Sequence, residues 1–366
     1  MVKSLSGTFI AATLCFWVTA LFVILYIPSF YKNNYRSLHV CIGAGVLDPS
    51  CFKKFEAETG IKVFVSYCET SEELFTKMIA TKAEGYDLIA VSDYMVSTFI
   101  ERNLLKPLDR RRLTFWSDLN HKFLSPYYDV HNHYCIPAEW YALALGINTR
   151  FFNGTIPEFS WSILFHKTQS VDRIGIVNDP HALYALMSGY LYGFTMKYCL
   201  LESKKIKKVR NRLRMLQHKI EAYTDYKADL LLFSENSAAT MIATTSAWKY
   251  LLDKPHIKIG IPKEGTFVHV ENYALGAKTI KDEAVYTLLN FLFRYDVQKE
   301  NFEKAGLLST RKDADYMFEA PYFACIMPFI HPNTQARLPF FSPVVRNSDL
   351  THFWVSSKTK KIKIKN

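Results

Sequence analysis

The chain carries no Gly-x-Ser-x-Gly elbow, no His-Glu-x-x-His helix and no phosphate-cradling glycine-rich loop followed by lysine. The hydrolase, metalloprotease and nucleotide-binding chemistries that need those spacings are therefore not indicated. No nucleophile–base pair emerges from the spacing of its polar residues, so catalysis is not expected. Its seven cysteines include no C-x-x-C pair, which leaves a structural zinc site without support; no metal and no cofactor is expected. Six of them (Cys41, Cys51, Cys68, Cys135, Cys199 and Cys325) are widely and irregularly spaced. Three bridges are open to them in an oxidising compartment, but the irregularity favours free, half-buried thiols for most. His131 and His133 would need a further ligand to hold a metal, and with none in view they read as a surface turn. Internal repeats and low-complexity linkers are also missing.

Apolar runs of membrane length are lacking too, with one exception. Thr8 to Tyr31 is a stretch of 24 residues without a charge, ending at Lys32. As a helix it would reach ~36 Å, enough for a hydrocarbon core of ~30 Å. Two readings stand: a membrane anchor, or a secretory signal cut after Val18-Thr19-Ala20. The run continues well past Ala20, which favours the uncleaved anchor. Lys3 precedes it and Lys32 and Arg36 follow it, so charge gives no orientation. Cys15 lies within the run and reads as an inert buried thiol.

Acidic residues are the scarcer sign, 34 against 45 basic, for a formal net charge of +11. Much of the excess sits in Lys204 to Arg214, with seven basic residues and no acid, and in the tail at Lys358, Lys360, Lys361, Lys363 and Lys365. Ile206, Val209, Leu213, Leu216 and Ile220 recur at helical spacing through the first block, so it reads as an amphipathic surface helix. A solvated face is the plain reading, with contact to anionic lipid head groups as the second. Nucleic acid is not expected as a partner, since no reader motif accompanies the charge.

The body alternates strand and helix. Leu38–Ile42 is a short apolar strand, Ser50–Thr59 a helix closed by Gly60, Ile61–Tyr67 a strand, Ser71–Ala83 a helix, and Tyr86–Val91 a strand. Short links between such elements indicate a doubly wound α/β lobe with a parallel sheet. In such sheets ligands bind beyond the carboxyl ends of the strands, which marks Gly43–Val46, Tyr67–Glu69 and Ser92–Tyr94 as the cleft. Further on, Ala142–Ile147 and Ile174–Val177 are apolar, and a helix runs from Pro180 to Tyr192. Apolar Leu230–Phe233, a helix near Ala238–Leu252, a strand near Ile257–Ile261, apolar Tyr273–Gly276 and a helix over Asp282–Arg294 follow.

Glu58-Thr59-Gly60-Ile61-Lys62-Val63, then Tyr86-Asp87-Leu88-Ile89 and Ser92-Asp93-Tyr94, are followed far downstream by Pro262-Lys263-Glu264-Gly265, Asn290-Phe291-Leu292-Phe293-Arg294 and Asp296-Val297. This ordered set resembles the spermidine/putrescine-binding proteins, the extracytoplasmic receptors of polyamine ABC importers, over about Leu38 to Thr310. The resemblance implies an α/β, two-lobed periplasmic-binding-protein fold of type II, with doubly wound sheets joined by a hinge and, here, an N-terminal transmembrane helix before them. It places residues 38–141 plus 271–316 in one lobe and 146–265 plus 320–352 in the other, with a basic tail at 353–366 and crossovers near Ala142–Gly146 and Glu271–Gly276. It implies a periplasmic monomer, tethered to the inner membrane through 8–31 or released from it by cleavage. It would close on a polyamine and deliver it to a permease in that membrane. The alternatives are another small solute (amine, anion or metal ion) in the same fold, or a degenerate surface protein that binds nothing.

A polyamine needs carboxylates for its ammonium groups, aromatic faces for cation–π contact and apolar walls for its methylenes. The resemblance carries ligand contacts onto Ser92, Tyr94, Asp179 and Glu271. Each also has a plainer reading: Asp179 as cap of the helix opening at Pro180, Ser92 as cap of a helix near Tyr94, Tyr94 as core, and Glu271 as a solvated strand-end charge. Much of the family's aromatic box is replaced. Gly43-Ala44-Gly45-Val46 stands where the family has Trp-Thr-Glu-Tyr, Ala243 and His269 stand for tryptophans, Ala182 for a glutamate and Leu307 for a tyrosine. Gly43 and its neighbours would let backbone N–H groups approach an anion, while Glu139, Trp140, Tyr141 and Tyr67 are candidates for a rebuilt wall, with Trp140 read chiefly as hinge packing.

Overall fold

A computed structural model describes residues 12–23, 37–43, 45–166, 171–194, 203–224, 228–245 and 254–317. Eleven strands lie in the described residues: β1 Ser37–Gly43, β2 Lys62–Cys68, β3 Leu88–Ser92, β4 Leu105–Lys106, β5 Cys135–Asn148, β6 Ile174–Val177, β7 Ile220–Thr224, β8 Ala239–Ala243, β9 Ile257–Gly260, β10 Val268–Gly276 and β11 Leu308–Ser309. The hydrogen-bonded path runs β2-β1-β3-β10-β5-β8-β6-β7, with β4 on β10 and β9 and β11 on β5.

One strand, β5, is hydrogen-bonded in both halves of this path. The first part of β5 pairs antiparallel with β10 and its second part with β8 and β9. At one end, β1 runs parallel to both β2 and β3; at the other, β6 runs parallel to β7 and β8. Three apolar clusters follow the same division, while a fourth, around Trp140, Ala144, Ile242 and Phe302, bridges it. One gathers Phe52, Phe55, Leu88, Val285 and Leu289, with a second on the opposite face around Leu74, Met78, Val96 and Phe99. Another lies around Leu145, Trp161, Ile176, Leu183 and Leu213. Helices thus cover both faces of a central sheet, as parallel strands buried on both sides require.

Local chemistry explains the element ends. Helix Ser50–Thr59 buries Cys51, Phe52 and Phe55 and stops at Gly60, whose φ of 70° is left-handed and whose N–H reaches Glu56 O; glycine adopts that conformation without a Cβ clash. Helix Ser71–Ala80 opens on Thr70, whose hydroxyl accepts Glu73 N–H at 3.1 Å, satisfying one of the unpaired amides of the first turn. The buried Asp87 carboxylate accepts His39 N–H at 2.9 Å, the Thr279 hydroxyl at 2.7 Å and the Lys281 ammonium at 3.0 Å, tying β1 to the segment after β10. The basic block forms helix Ser203–Leu216, with Val209, Leu213 and Leu216 buried.

The expectation of a helix near Ala238–Leu252 is corrected: Ala239–Ala243 is strand β8, inserted between β5 and β6. Four of its five side chains are buried, so the alternation that marks a half-exposed strand is missing from the sequence and a buried strand reads like a buried helix. Residues 246–253 lie outside the described residues. Residues 12–23 are helical and expose Leu14, Phe16, Trp17 and Phe22. Among the described residues no helix is long and apolar enough to cross a membrane; the rest of the 8–31 stretch lies outside them, as do 320–352, the basic tail, Cys199 and Cys325. His131 and His133 sit in a turn, ring centroids 5.8 Å apart.

Candidate functional site

The carboxyl end of β3 carries the first group. Ser92 occupies the N-cap position of helix Asp93–Glu101 but makes no side-chain cap. Its hydroxyl turns across the sheet and donates to Glu271 Oε1 at 2.6 Å, because the antiparallel register sets Glu271 opposite Ser92. Ser71, at the start of the neighbouring helix, accepts Ser92 N–H and donates to Ser92 Oγ, both at 3.1 Å. On its other side Glu271 is paired in register with Glu139 of β5. Two carboxyl-bearing residues from two strands thus share one row, with Asp93 one residue beyond.

This row is costly to ionise. Asp93 is fully buried, with Oδ1 accepting Tyr94 N–H at 2.8 Å and, among the described residues, no hydrogen-bond partner at Oδ2; the Val270 backbone N–H also bears on the carboxylate. Burial, and then the neighbouring Glu271, push its pKa well above the usual carboxylate range. Glu139 is buried as well, its Oε1 accepting the Tyr273 hydroxyl at 3.4 Å and its Oε2 unpartnered. Desolvation and Glu271 raise it in the same way. Glu271, partly exposed, is raised to about 7, chiefly by desolvation and against the pull of the Ser92 hydrogen bond. Desolvation and like charge both disfavour the charged form of an acid.

A second group faces the first from the other half. Asp179 caps helix Pro180–Tyr192, its Oδ1 accepting His181 N–H at 2.8 Å and Ala182 N–H at 3.1 Å. The capping reading of Asp179 is therefore realised, and its pKa is raised, mainly by burial and less by Glu72. His181 brings Nε2 within 3.5 Å of Glu72 Oε1, while Tyr94 donates its hydroxyl to Glu72 Oε2 at 3.1 Å. The Tyr94 and His181 rings lie 5.1 Å apart. Tyr94 belongs to helix Asp93–Glu101, yet it packs against clusters of both halves. At the crossover strands, His269 stacks on Tyr141 with centroids 5.1 Å apart and planes within 8°, and its Nδ1 stands 3.9 Å from Asp93 Oδ1. Burial drives the His269 imidazole down to about 3, so it is neutral wherever the protein is folded.

Five acids (Glu72, Asp93, Glu139, Asp179 and Glu271) thus converge with two histidines and two tyrosines. Among the described residues none of the five is paired with a lysine or arginine; the basic side chains nearest them are the imidazoles of His181, 3.5 Å from Glu72, and His269, 3.9 Å from Asp93. Such an arrangement is poised for a cationic guest, because a buried carboxylate without a counter-ion is destabilising and a buried ammonium beside it restores the balance.

Of the expected site residues, Ser92, Tyr94, Asp179, His269 and Glu271 join this constellation. Gly43 ends β1, and its carbonyl accepts Val46 N–H at 3.2 Å. A Cβ there would meet Val46 Cγ2 at 2.8 Å, so close packing of the turn already explains the glycine; Ala44 is outside the described residues. Trp140 is buried against Phe123, centroids 5.9 Å apart, and Tyr67 is 46% exposed. Glu72 and His181 were not anticipated. Each sits in the first turn of a helix, where an acid or a residue beside a cap has an ordinary local explanation, so neither gave a separable signal.

Residues 50–320 match the family described as bacterial extracellular solute-binding protein. The chain is 28% identical over 264 residues to the spermidine/putrescine-binding periplasmic protein of Escherichia coli (strain K12), covering 70% of this chain and 73% of that one. It is 23% identical over 350 residues to the putrescine-binding periplasmic protein PotF of the same organism, covering 89% and 92%. Among solved structures, the spermidine/putrescine ABC transporter substrate-binding protein PotD of Streptococcus pneumoniae superposes with a TM-score of 0.74 at 19% identity, over 88% of this chain and 100% of that one. The fold is the α/β periplasmic-binding-protein fold.

Proposed function

Because the chain belongs to the family of bacterial extracellular solute-binding proteins, we propose that it is the substrate-binding component of an ABC importer and captures a polyamine, spermidine or putrescine, between two lobes. The lobes are 38–141 with 271–316, and 146–265 with the C-terminal segment, in the type II arrangement. The observation that carries this reading is the set of five acids that, among the described residues, have no lysine or arginine partner, contributed by both halves of the sheet path. Glu271, hydrogen-bonded to Ser92, takes one ammonium; Asp179 and Glu72 take another; Tyr94, Tyr141 and His269 supply the flat walls. A guest that touches both sides favours the closed form over the open one, which is the state a permease reads. The chain then works outside the cytoplasm as a monomer, held at the inner membrane by the stretch 8–31, and performs no catalysis.

The replacement of family tryptophans by Ala243 and His269 favours a second reading, in which the same clamp takes another small amine. Each missing cation–π contact removes ~0.5–2 kcal/mol from the grip on an ammonium, and carboxylates alone hold short cations as well as long ones. Calorimetric titration with spermidine, putrescine and monoamines separates the two. Micromolar binding of a polyamine is the expected result, and absence of both heat and thermal shift at millimolar polyamine refutes the first reading.

Asp179 allows a sharper test. Asparagine caps a helix about as well as aspartate, so Asp179→Asn should leave the melting temperature within about 2 °C of the parent. Without the charge, polyamine affinity should fall at least about tenfold. An unchanged affinity would reduce Asp179 to a cap.

A further inference from the structure

We propose that Cys41 and Cys68 form a disulfide that staples β1 to β2 directly ahead of the helix bearing Ser71 and Glu72. The two sulfurs lie 2.9 Å apart, closer than two sulfur atoms rest in ordinary van der Waals contact. Both side chains are buried, at 0% and 3% exposure, in one apolar cluster with Leu74, Met78 and Phe99. In the parallel register Cys41 faces Ser66 and Cys68 faces Gly43, so the cysteines are diagonal neighbours on one face of the sheet. Closing a diagonal pair asks the backbone to give slightly. Cys68 is the last residue of β2, and β2 is the terminal strand of the sheet path, so that movement is available. The opposite side of the Gly43–Cys68 pairing has no Cβ to oppose it.

The neighbours also suit the chemistry. Lys77 places its ammonium 3.5 Å from Cys68 Sγ. Cys68 ends the terminal strand and is the less enclosed of the two, while Cys41 is fully buried, which makes Cys68 the attacking sulfur and Cys41 the resolving one. With a small-molecule disulfide such as oxidised glutathione, Cys68 thiolate displaces one glutathione and forms a mixed disulfide. Cys41 then loses its proton and displaces the second glutathione. Two protein thiols are oxidised by two electrons, and one glutathione disulfide is reduced to two thiols. Because both sulfurs are buried, oxidation accompanies folding. The inference does not depend on which ligand the groove takes.

The test is to refold the full chain in a glutathione redox buffer and map its thiols without reduction. Trypsin leaves Cys41 and Cys51 on one peptide, so cleavage before Asp48 is added to separate them. The expected product is a linked pair containing Cys41 and Cys68, lighter than the two free peptides by two hydrogen atoms. The oxidised protein should also melt roughly 5 °C above the same chain refolded with reductant, and this difference should disappear in Cys68→Ser. Recovery of both cysteines as free thiols overturns the proposal, as does a reductant-dependent melting shift of the same size in Cys68→Ser.

Discussion

Glu271→Gln is expected to weaken polyamine binding by roughly 30- to 1,000-fold, the range for removing one partner of a desolvated, hydrogen-bonded charge pair. The amide keeps the shape of the side chain and its hydrogen bond with Ser92, so the change is one of charge. It should act on stability in the opposite sense. The pKa of Glu271 is raised from 4.5 to about 7 in the folded protein, first by desolvation. A carboxyl group whose pKa rises on folding binds its proton more tightly in the folded state. Its cost is therefore absent below pH 4.5, grows between 4.5 and 7, and is complete above 7. Allowing for its partial exposure, that cost is on the order of 2 kcal/mol. The ligand-free variant should consequently melt above the parent at pH 8 and with it at pH 4.5. Calorimetric titration and thermal melts measure the two effects on one sample. A variant that binds polyamine as well as the parent would remove Glu271 from the site, and one that is less stable at pH 8 would contradict its uncompensated burial.

The second large effect is the pH dependence of binding. An ammonium favours the ionised form of Glu271, so capture displaces the proton that the free protein holds below its pKa of about 7. Affinity should be flat above pH 8 and fall about tenfold per unit below 7, giving on the order of a hundredfold loss at pH 5. The groups facing Glu271 act in the same direction: Asp93 and Glu139 are raised by burial and by Glu271 itself. His269 does not contribute, since it is already neutral. Titrations at pH 7 in buffers of different ionisation enthalpy should reveal proton release on binding, and Glu271→Gln should flatten the profile. Affinity that is constant from pH 8 to pH 5, or that rises on acidification, would exclude a proton-linked carboxylate grip.

Parts of this site were readable residue by residue. Asp179-Pro180 is a common helix opening, and the structure has Asp179 bonded to the first amides of that helix. Ile174–Val177 and Pro180–Tyr192 fall where apolar pattern and capping place them. Ser92 shows where such reading stops. Its position is that of a cap, but the hydroxyl goes to Glu271, 179 residues away along the chain. Only the pairing of β3 with β10 makes that bond available.

The sequence by itself determined the alternation of strands and helices in the first half, the ends of helix Ser50–Thr59, the cap at Asp179, and a solute-receptor scaffold. These are properties of neighbouring residues or of ordered motifs, and short-range sterics and hydrogen bonding settle them. Tertiary structure decided that 239–243 is a strand, that Glu271 and Glu139 share a row, and that Glu72 meets Tyr94 of a neighbouring helix and His181 of the other half. Each depends on strand order or on the docking of two halves. Desolvation, which raises the pKa of Asp93, Glu139 and Glu271, exists only once distant segments have excluded water from around them.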